Sequence, residues 1–143
     1  LGSMIPIGQA LQSSGGAETI SNILINISYG ATPVTILACM LIITMLLSAV
    51  LNNVATVLVA APISVEIAKT LTVNPDTFLM AVAIGASCAF LTPIGHQNNT
   101  LVMGPGGYRF GDYWKLGLPL EILITVVSIP TLLYFWPLNS LPI

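Results

Sequence analysis

Ser48-Ala49-Val50-Leu51-Asn52-Asn53-Val54-Ala55-Thr56 is the most informative stretch of this chain. Long apolar runs flank it at residues 34–47 and 57–67. Two adjacent carboxamides therefore stand where hydropathy alone predicts the interior of a membrane. Non-helical backbone survives at that depth only where it is buried in protein or lines a watery cavity, because hydrocarbon offers it no hydrogen bonds. We interpret the stretch as the polar tip of a helical hairpin.

A second polar interruption, residues 92–100, follows another apolar run and reads Thr-Pro-Ile-Gly-His-Gln-Asn-Asn-Thr. Thr92-Pro93 stops the preceding helix before it can cross a bilayer, and residues 100–103 are too few to cross alone. The simplest interpretation is one discontinuous helix whose two halves meet at a polar midpoint. Two such interruptions in one short chain predict a binding site.

The composition of the 143 residues is that of a membrane protein. Only 6% are charged and 55% are hydrophobic, whereas soluble domains carry about a quarter charged residues. We expect a multi-pass protein of the cell (inner) membrane, surrounded by the lipid bilayer. A formal charge of −2 without a basic cluster argues against nucleic acid as a partner. No nucleophile–base pair or metal-binding spacing appears, so we do not expect an enzyme, and Cys39 and Cys88 are expected to be small buried hydrophobic residues.

Apolar periodicity and turn residues predict an all-α fold. The predicted helices cover residues 17–28, 33–51, 55–69, 78–91 with a continuation at 100–103, and 116–136. Residues 4–11 form a further apolar piece that is too short to span. The 33–51 and 55–69 segments are either two spans with an ordinary loop or a re-entrant hairpin whose tip stays inside the membrane. The tip lacks the Lys, Asp, Glu, Gly and Pro of exposed loops, which favours the re-entrant hairpin.

The tip and the second interruption carry the same kinds of polar group. Amide oxygens and freed backbone carbonyls are neutral ligands that suit Na⁺, and helix N-termini nearby suit an anion. Ser48 and Thr56, on either side of the Asn pair, strengthen this interpretation. The alternative is that Asn52 and Asn53 only hold helices together. His96, the single histidine, is either a hydrogen-bonded packing group or a substrate contact.

The charged side chains away from the tip are expected to be structural. Glu66 and Lys69 are three residues apart on one helix, which predicts a surface ion pair. Glu121 has two interpretations: its closeness to Lys115 and to the interface favours a structural role, whereas a carboxylate near the membrane can also be functional.

At these residues the chain resembles the divalent anion:sodium symporter family, the sodium/sulfate and sodium/dicarboxylate carriers of the ion transporter superfamily. Family members carry a Ser-Asn-Thr signature at a re-entrant hairpin tip and a Thr-Pro-Pro-Asn-like run in the break of a discontinuous helix. Here the tip reads Asn52-Asn53-Val54, which retains the central Asn as Asn53 and lacks the flanking hydroxyls. The second interruption retains the final Asn as Asn99 and replaces the prolines. The run Gly85-Ala86-Ser87-Cys88-Ala89-Phe90-Leu91-Thr92-Pro93-Ile94-Gly95 is close to the family's usual approach to that break.

The resemblance covers nearly all of the chain and implies that residues 1–143 are a single membrane domain, the C-terminal inverted repeat of a larger transporter. It implies Na⁺-coupled uptake of a small divalent oxyanion such as sulfate or a dicarboxylate. The N-terminal repeat of the same transporter would be the missing partner, and a homodimer the assembly. The expected sodium ligands are Ser48, Asn53 and Gly95. The expected substrate contacts are Asn52, Asn53, Val54, His96, Gln97, Asn98 and Asn99.

Two alternatives stay open. A related carrier of the same architecture, for arsenite, citrate or Na⁺/H⁺ exchange, would be driven by a proton gradient alone. A structural membrane subunit would keep its ion dependence unaltered when the Asn pairs are replaced. For the sodium-coupled symporter and for the related carrier alike, the positive-inside tendency predicts Arg109 and Lys115 on the cytoplasmic side and Lys69 on the other side.

Overall fold

The computed structural model describes residues 6, 9–10, 13–27 and 30–139. Six helices lie in these ranges: α1 (Gly16–Ile27), α2 (Pro33–Ser48), α3 (Asn53–Leu71), α4 (Pro75–Ser87), α5 (Gln97–Met103) and α6 (Phe110–Phe135). The described residues contain no strand, which confirms the all-α prediction for them. Most of the short apolar piece predicted at 4–11 lies outside the described residues.

Two helices are long and apolar enough to span a membrane. α3 has 19 residues with a mean hydropathy of 1.6, and α6 has 26 residues with a mean hydropathy of 2.0. α2 and α4 are apolar but have only 16 and 13 residues. At 1.5 Å per residue they extend about 24 Å and about 20 Å, against about 30 Å of hydrocarbon. α2 and α4 are therefore too short to cross a bilayer alone.

An N-cap side chain starts each of these inner helices: Thr32 for α2, Asn52 for α3 and Asn74 for α4. Oδ1 of Asn52 accepts a hydrogen bond from Ala55 N at 2.8 Å, which satisfies one of the backbone donors that a helix start leaves free. The cap makes α3 begin at Asn53 rather than at 55, while α2 ends at Ser48 rather than at 51. The predicted order of lengths was therefore wrong, since α3 is the longer helix of the pair.

α4 lies at the centre of the bundle, against α2 on one side and α3 on the other. Gly85 allows the close approach of α4 and α2: a Cβ at this position would lie 2.9 Å from Thr44 Cβ and 3.0 Å from Leu41 O. Small residues serve this purpose between membrane helices. The core between the helices contains the buried side chains of Leu37, Leu41, Met45, Ile67, Phe78 and Val82.

Contacts at the helix ends show where the two interruptions lie along the bundle. Ser48 Oγ donates a hydrogen bond to Ala86 O at 2.6 Å, so α2 and α4 end side by side. At the other end of α4, Thr77 Oγ1 donates to Trp136 O at 2.8 Å, which joins the start of α4 to the end of α6. The residues just after α4 lie against Gly117 of α6. The ends of α2 and α4 are therefore level with the middle of α6.

The second interruption is longer than predicted and begins earlier. α4 ends at Ser87 rather than at 91, and α5 begins at Gln97, so residues 97–99 are helical. Pro93 prevents a continuous helix through the break, because its nitrogen carries no proton and its ring would clash with the carbonyl of residue 89. The end at Ser87 comes earlier, where Cys88 leaves the helical conformation at φ −98° and ψ 65° and its N–H donates to Gly85 O. The non-helical segment is thus residues 88–96.

α6 also begins earlier than predicted, at Phe110 rather than at 116. Asp112 Oδ2 accepts a hydrogen bond from Arg109 N at 2.9 Å, which closes the first turn. Residues 108–115, whose aromatic and charged side chains the sequence predicts at a membrane–water interface, therefore mostly belong to the start of this helix.

The predictions for the ion pair and for Cys88 are confirmed, whereas the prediction for Cys39 is wrong. The predicted surface pair is confirmed, with Lys69 Nζ 3.3 Å from Glu66 Oε2. Cys88 is buried as predicted, but the same prediction for Cys39 is wrong, since this residue is exposed. The buried residues of α2, which include Leu37, Leu41 and Thr44, occupy the face towards α4, and Cys39 lies outside that face.

Candidate ion and anion site

Ser48 connects the two non-helical segments that the structure shows. From here on we call residues 49–52 the tip and residues 88–96 the break. Its side chain is fully buried, and Oγ lies 2.6 Å from Ala86 O and 3.3 Å from Asn53 Oδ1. A hydroxyl group has one proton, and Ser48 Oγ has two acceptors for it, with Ala86 O nearer and Asn53 Oδ1 farther. Each of the two side-chain oxygens, Ser48 Oγ and Asn53 Oδ1, keeps a lone pair that is available to a cation.

Gly95 brings the backbone of the break against the end of α2. A Cβ at this position would lie 2.6 Å from Ser48 O and 3.1 Å from Ala49 Cα, which is too close for any side chain. Gly95 N donates to Thr92 Oγ1 at 3.2 Å, and Thr92 Oγ1 in turn donates to Ala49 O. The three predicted sodium ligands, Ser48, Asn53 and Gly95, thus lie together.

Thr56 adds a buried oxygen on the same face of α3 as Asn53, three residues further along the helix. Its side chain is fully buried. Its Oγ1 has no hydrogen-bond partner in the part of the chain that the structure describes. Buried hydroxyl groups are normally hydrogen-bonded, so we expect Thr56 Oγ1 to have a partner that the described residues do not supply.

Asn99 closes the break instead of facing outward. Its Nδ2 donates to Ala89 O at 2.8 Å and to Thr92 O at 3.3 Å, and its backbone oxygen accepts from Tyr113 OH at 2.6 Å. Both amide protons of Asn99 are therefore used. In this arrangement Asn99 offers no side-chain donor to an anion.

The other predicted substrate contacts are more accessible. Asn52, Val54, Gln97 and Asn98 are exposed, and Asn53 and His96 are half-buried. Asn52 uses Oδ1 as the cap of α3, so its NH₂ group is the donor that remains. His96 Nδ1 accepts a hydrogen bond from Asn98 N at 3.2 Å, so the neutral ring carries its proton on Nε2.

The sequence reasoning missed the roles of Thr92 and Tyr113. Thr92 was recognised only as part of the helix stop, although a hydroxyl next to a proline stands where backbone groups lose their helical partners. Tyr113 was grouped with the interfacial aromatic residues. Nothing in the sequence indicated that its hydroxyl reaches the backbone of the break.

Glu121 is buried in the protein and is not paired with Lys115, so the favoured structural role beside Lys115 was wrong. Only 7% of the residue is exposed, and Oε1 has no hydrogen-bond partner among the described residues. A Cβ on Gly117, one turn earlier, would lie 2.5 Å from Phe90 O. Lys115 does not reach Glu121 and pairs with Asp112 at 3.1 Å. A single carboxylate in the apolar run 116–136 was the signal that could have found it.

A cavity of about 410 Å³ opens beside the break, between α5 and α6. Its lining is mostly apolar and includes Phe90, Val102, Tyr113, Leu116 and Leu120. Such a lining does not suit a small divalent anion, which needs convergent donors. The polar groups of the tip and the break are the better candidate site.

Comparison with known proteins gives consistent matches to transporters. The citrate transporter family model (CitMHS) matches residues 1–142. The chain is 41% identical over 135 residues to the "Uncharacterized transporter YfbS" of Escherichia coli (strain K12), covering 92% of this chain and 22% of that protein. It is 38% identical over 132 residues to a "Putative sulfur deprivation response regulator" of Chlamydomonas reinhardtii (92% and 23%). It is 30% identical over 124 residues to the "Sodium/sulfate cotransporter 1" of the same organism (85% and 14%).

The described residues form helices, two of which are long and apolar enough to span a bilayer, and the chain matches transporters along most of its length. The chain therefore belongs to a family of membrane transporters. It belongs to the citrate transporter family. The relatives include sodium/sulfate cotransporters, which confirms the resemblance predicted from the tip and the break. The chain spans 14–23% of the length of these relatives.

Proposed function

We propose that this chain is one inverted repeat of a secondary active transporter that couples Na⁺ to the uptake of a small divalent oxyanion, such as sulfate or a dicarboxylate. α2, the tip and α3 would be a re-entrant hairpin, and α4, the break and α5 a discontinuous helix. One observation supports this proposal most strongly. The tip and the break contact each other beside the middle of α6, a helix that is long enough to span a bilayer. The inner membrane and a homodimer are part of the same proposal.

Sodium would bind between the tip and the break. Asn53 Oδ1, Ser48 Oγ and the backbone carbonyls around Gly95 are neutral oxygen ligands, as Na⁺ sites in broken helices use. Ser48 Oγ and Asn53 Oδ1 lie 3.3 Å apart, so one ion would contact both oxygens. The same ion would give a nearby positive charge to the buried Thr56 Oγ1, which has no partner among the described residues.

The anion would bind on the accessible side of the same contact. Its donors would be the amides of Asn52, Gln97 and Asn98 and Nε2–H of His96, with Asn53 and Val54 contributing the first backbone N–H groups of α3. An anion favours this end of α3 because the helix dipole is positive there. Asn99 would hold the break in shape and would not contact the anion through its amide protons.

The coupling follows from the shared elements. Sodium would fix the tip against the break, and both carry anion donors, so sodium would favour the anion-binding arrangement. By linkage, the anion must then tighten sodium binding by the same factor. The missing N-terminal repeat would complete the anion site and provide the other half of the pathway.

The decisive experiment replaces Asn53 in the complete transporter reconstituted in liposomes. Asn53→Ala removes a sodium ligand, so we expect the sodium concentration for half-maximal uptake to rise at least tenfold with normal membrane insertion. His96→Asn is the matched variant on the anion side, and it should change anion affinity or selectivity while sodium dependence stays. Unchanged sodium dependence in Asn53→Ala would mean that the tip only packs helices, as in a structural subunit. Uptake that is driven by a proton gradient alone would favour the related carrier for arsenite, citrate or Na⁺/H⁺ exchange.

Gly95→Ala gives a second, independent arm of this experiment. The added Cβ would meet the Ser48 backbone at 2.6 Å and push the break away from the tip. We expect the same rise in the sodium requirement. Gly104→Ala is the control, because a Cβ there has no neighbouring atom within 4 Å.

Citrate is a second candidate substrate, because the family model that covers the chain is described as a citrate transporter. Sulfate and citrate share anionic oxygens but differ greatly in size. Competition in the reconstituted transporter separates them: unlabelled citrate should suppress labelled sulfate uptake only weakly if sulfate is the substrate, and strongly if citrate is.

A further inference from the structure

Glu121 is a buried carboxyl group that neither sodium nor anion binding, as proposed above, uses. It lies near the middle of α6, about 16 Å from one end of the helix and about 21 Å from the other at 1.5 Å per residue. Only 7% of the residue is exposed. Its Oε1 atom is buried and has no hydrogen-bond partner in the described ranges.

No described positive charge compensates Glu121. On α6, Lys115 is held by Asp112 at 3.1 Å. In the break, the Cys88 thiol is near enough to interact electrostatically with Glu121, and His96 is used as the cap of α5. α2 carries Cys39 as its one titratable side chain, which is exposed, and α4 carries Asp76 in its first turn, at the far end from the break. None of these groups neutralises a carboxylate.

The surroundings of Glu121 join α6 to the break. Gly117, one turn before Glu121, allows Phe90 O of the break to approach α6 closely. Thr125 Oγ1, one turn later, donates to Glu121 O at 2.8 Å and therefore does not reach the carboxyl group as its donor. The carboxyl group thus lies at the contact between the continuous helix α6 and the broken helix.

We propose that Glu121 is a proton-binding site, and that the protonated acid holds α6 against the break. An ionised carboxylate with an unpaired buried oxygen is far more costly than the neutral acid. Release of the proton therefore favours arrangements in which water or a cation reaches Oε1, and these require α6 and the break to separate. The closed contact is stabilised at low pH and weakened as the pH rises. The proposal goes beyond the proposed function and does not depend on which ion or anion is carried.

The test is infrared titration of the purified full-length transporter in lipid. The wild type should show a carbonyl band of a protonated carboxylic acid that disappears as the pH rises. Glu121→Gln should lose this band, because the amide has nearly the size and shape of the acid but cannot titrate. The control Asp112→Asn, on the same helix but partly exposed, should keep the band. A band that Glu121→Gln retains, or a Glu121 that stays ionised at every pH because another part of the protein pairs with it, would overturn the proposal.

Thermal unfolding over the same pH range tests whether the protonated acid holds α6 against the break. Wild-type stability should fall as the band is lost, whereas Glu121→Gln should show no fall in that range. Parallel pH profiles for both proteins would mean that the proton does not hold the contact. If Glu121→Gln does not insert, Glu121→Asp carries the test: the acid remains but is one methylene shorter, so its band must shift, and an unshifted band overturns the assignment.

Discussion

Hydroxyl and amide side chains satisfy the backbone groups that the interrupted helix leaves without partners. Asn99 donates to two carbonyls of the break, Thr92 donates to the tip, and Thr100 Oγ1 donates to Pro93 O at 2.6 Å. At the membrane depth proposed for the break water is absent, so each of these carbonyls would cost several kcal/mol without its donor. Local side chains would therefore make a non-helical segment possible there.

Asn99 gives the sharpest test of this account. Asn99→Ala leaves Ala89 O and Thr92 O without their donor, and we expect a loss of about 1–3 kcal/mol in the free energy of unfolding. Thermal or denaturant unfolding of the full-length protein in one detergent measures it. Asn98→Ala is the matched control, because Asn98 is the exposed neighbour and should change stability by less than about 0.5 kcal/mol. Equal effects of the two variants would contradict the role of Asn99.

At the level of helices, the sequence predicted the existence and order of α1 to α6 better than their ends. Apolar runs show which segments are helical, but ends depend on caps. The Asn52 cap, which was interpreted only as a site residue, moved the start of α3. The tip and the break were found from sequence because polar residues in apolar runs are conspicuous. The contacts of Tyr113 and Glu121 were not, since they join segments far apart in the chain and depend on how α6 packs.

Gly85 tests the packing of α4 on α2. Gly85→Ala places a Cβ 2.9 Å from Thr44 Cβ and 3.0 Å from a backbone carbonyl, so the helices must separate slightly. We expect destabilisation by about 1–3 kcal/mol. Gly111→Ala is the helical control, because a Cβ there meets no atom within 4 Å and alanine favours the helix by about 0.5–1 kcal/mol. Unfolding midpoints that move in the same direction for both variants would contradict this packing.

For the whole molecule, the covered and uncovered faces of α6 indicate what surrounds the chain. Gly117, Glu121, Ser128 and Leu132 are buried towards the bundle. Large apolar side chains of the other face are exposed, among them Leu116, Leu123, Val126, Tyr134 and Phe135. An exposed apolar face of this kind suits contact with lipid or with another apolar protein surface.

The directions of the helices also predict how the chain is oriented across the membrane, and this orientation can be tested. α3 ends near Lys69, and the start of α4 is joined to the end of α6 through Thr77 and Trp136. Lys69 therefore lies at one end of the bundle, while Arg109 and Lys115, at the start of α6, lie at the other. With two basic residues against one, the positive-inside tendency predicts that Arg109 lies on the cytoplasmic side.

Single cysteines at positions 69 and 109 of the full-length transporter test this orientation in intact cells. Cys39 is first replaced by Ser because it is exposed and would react, whereas Cys88 is buried. An impermeant thiol reagent added outside should label Lys69→Cys directly and Arg109→Cys only after the cells are opened. Labelling of both from outside would contradict the opposite placement of the two ends. The reverse pattern would keep the helix directions but invert the orientation, placing the hairpin entrance on the cytoplasmic side.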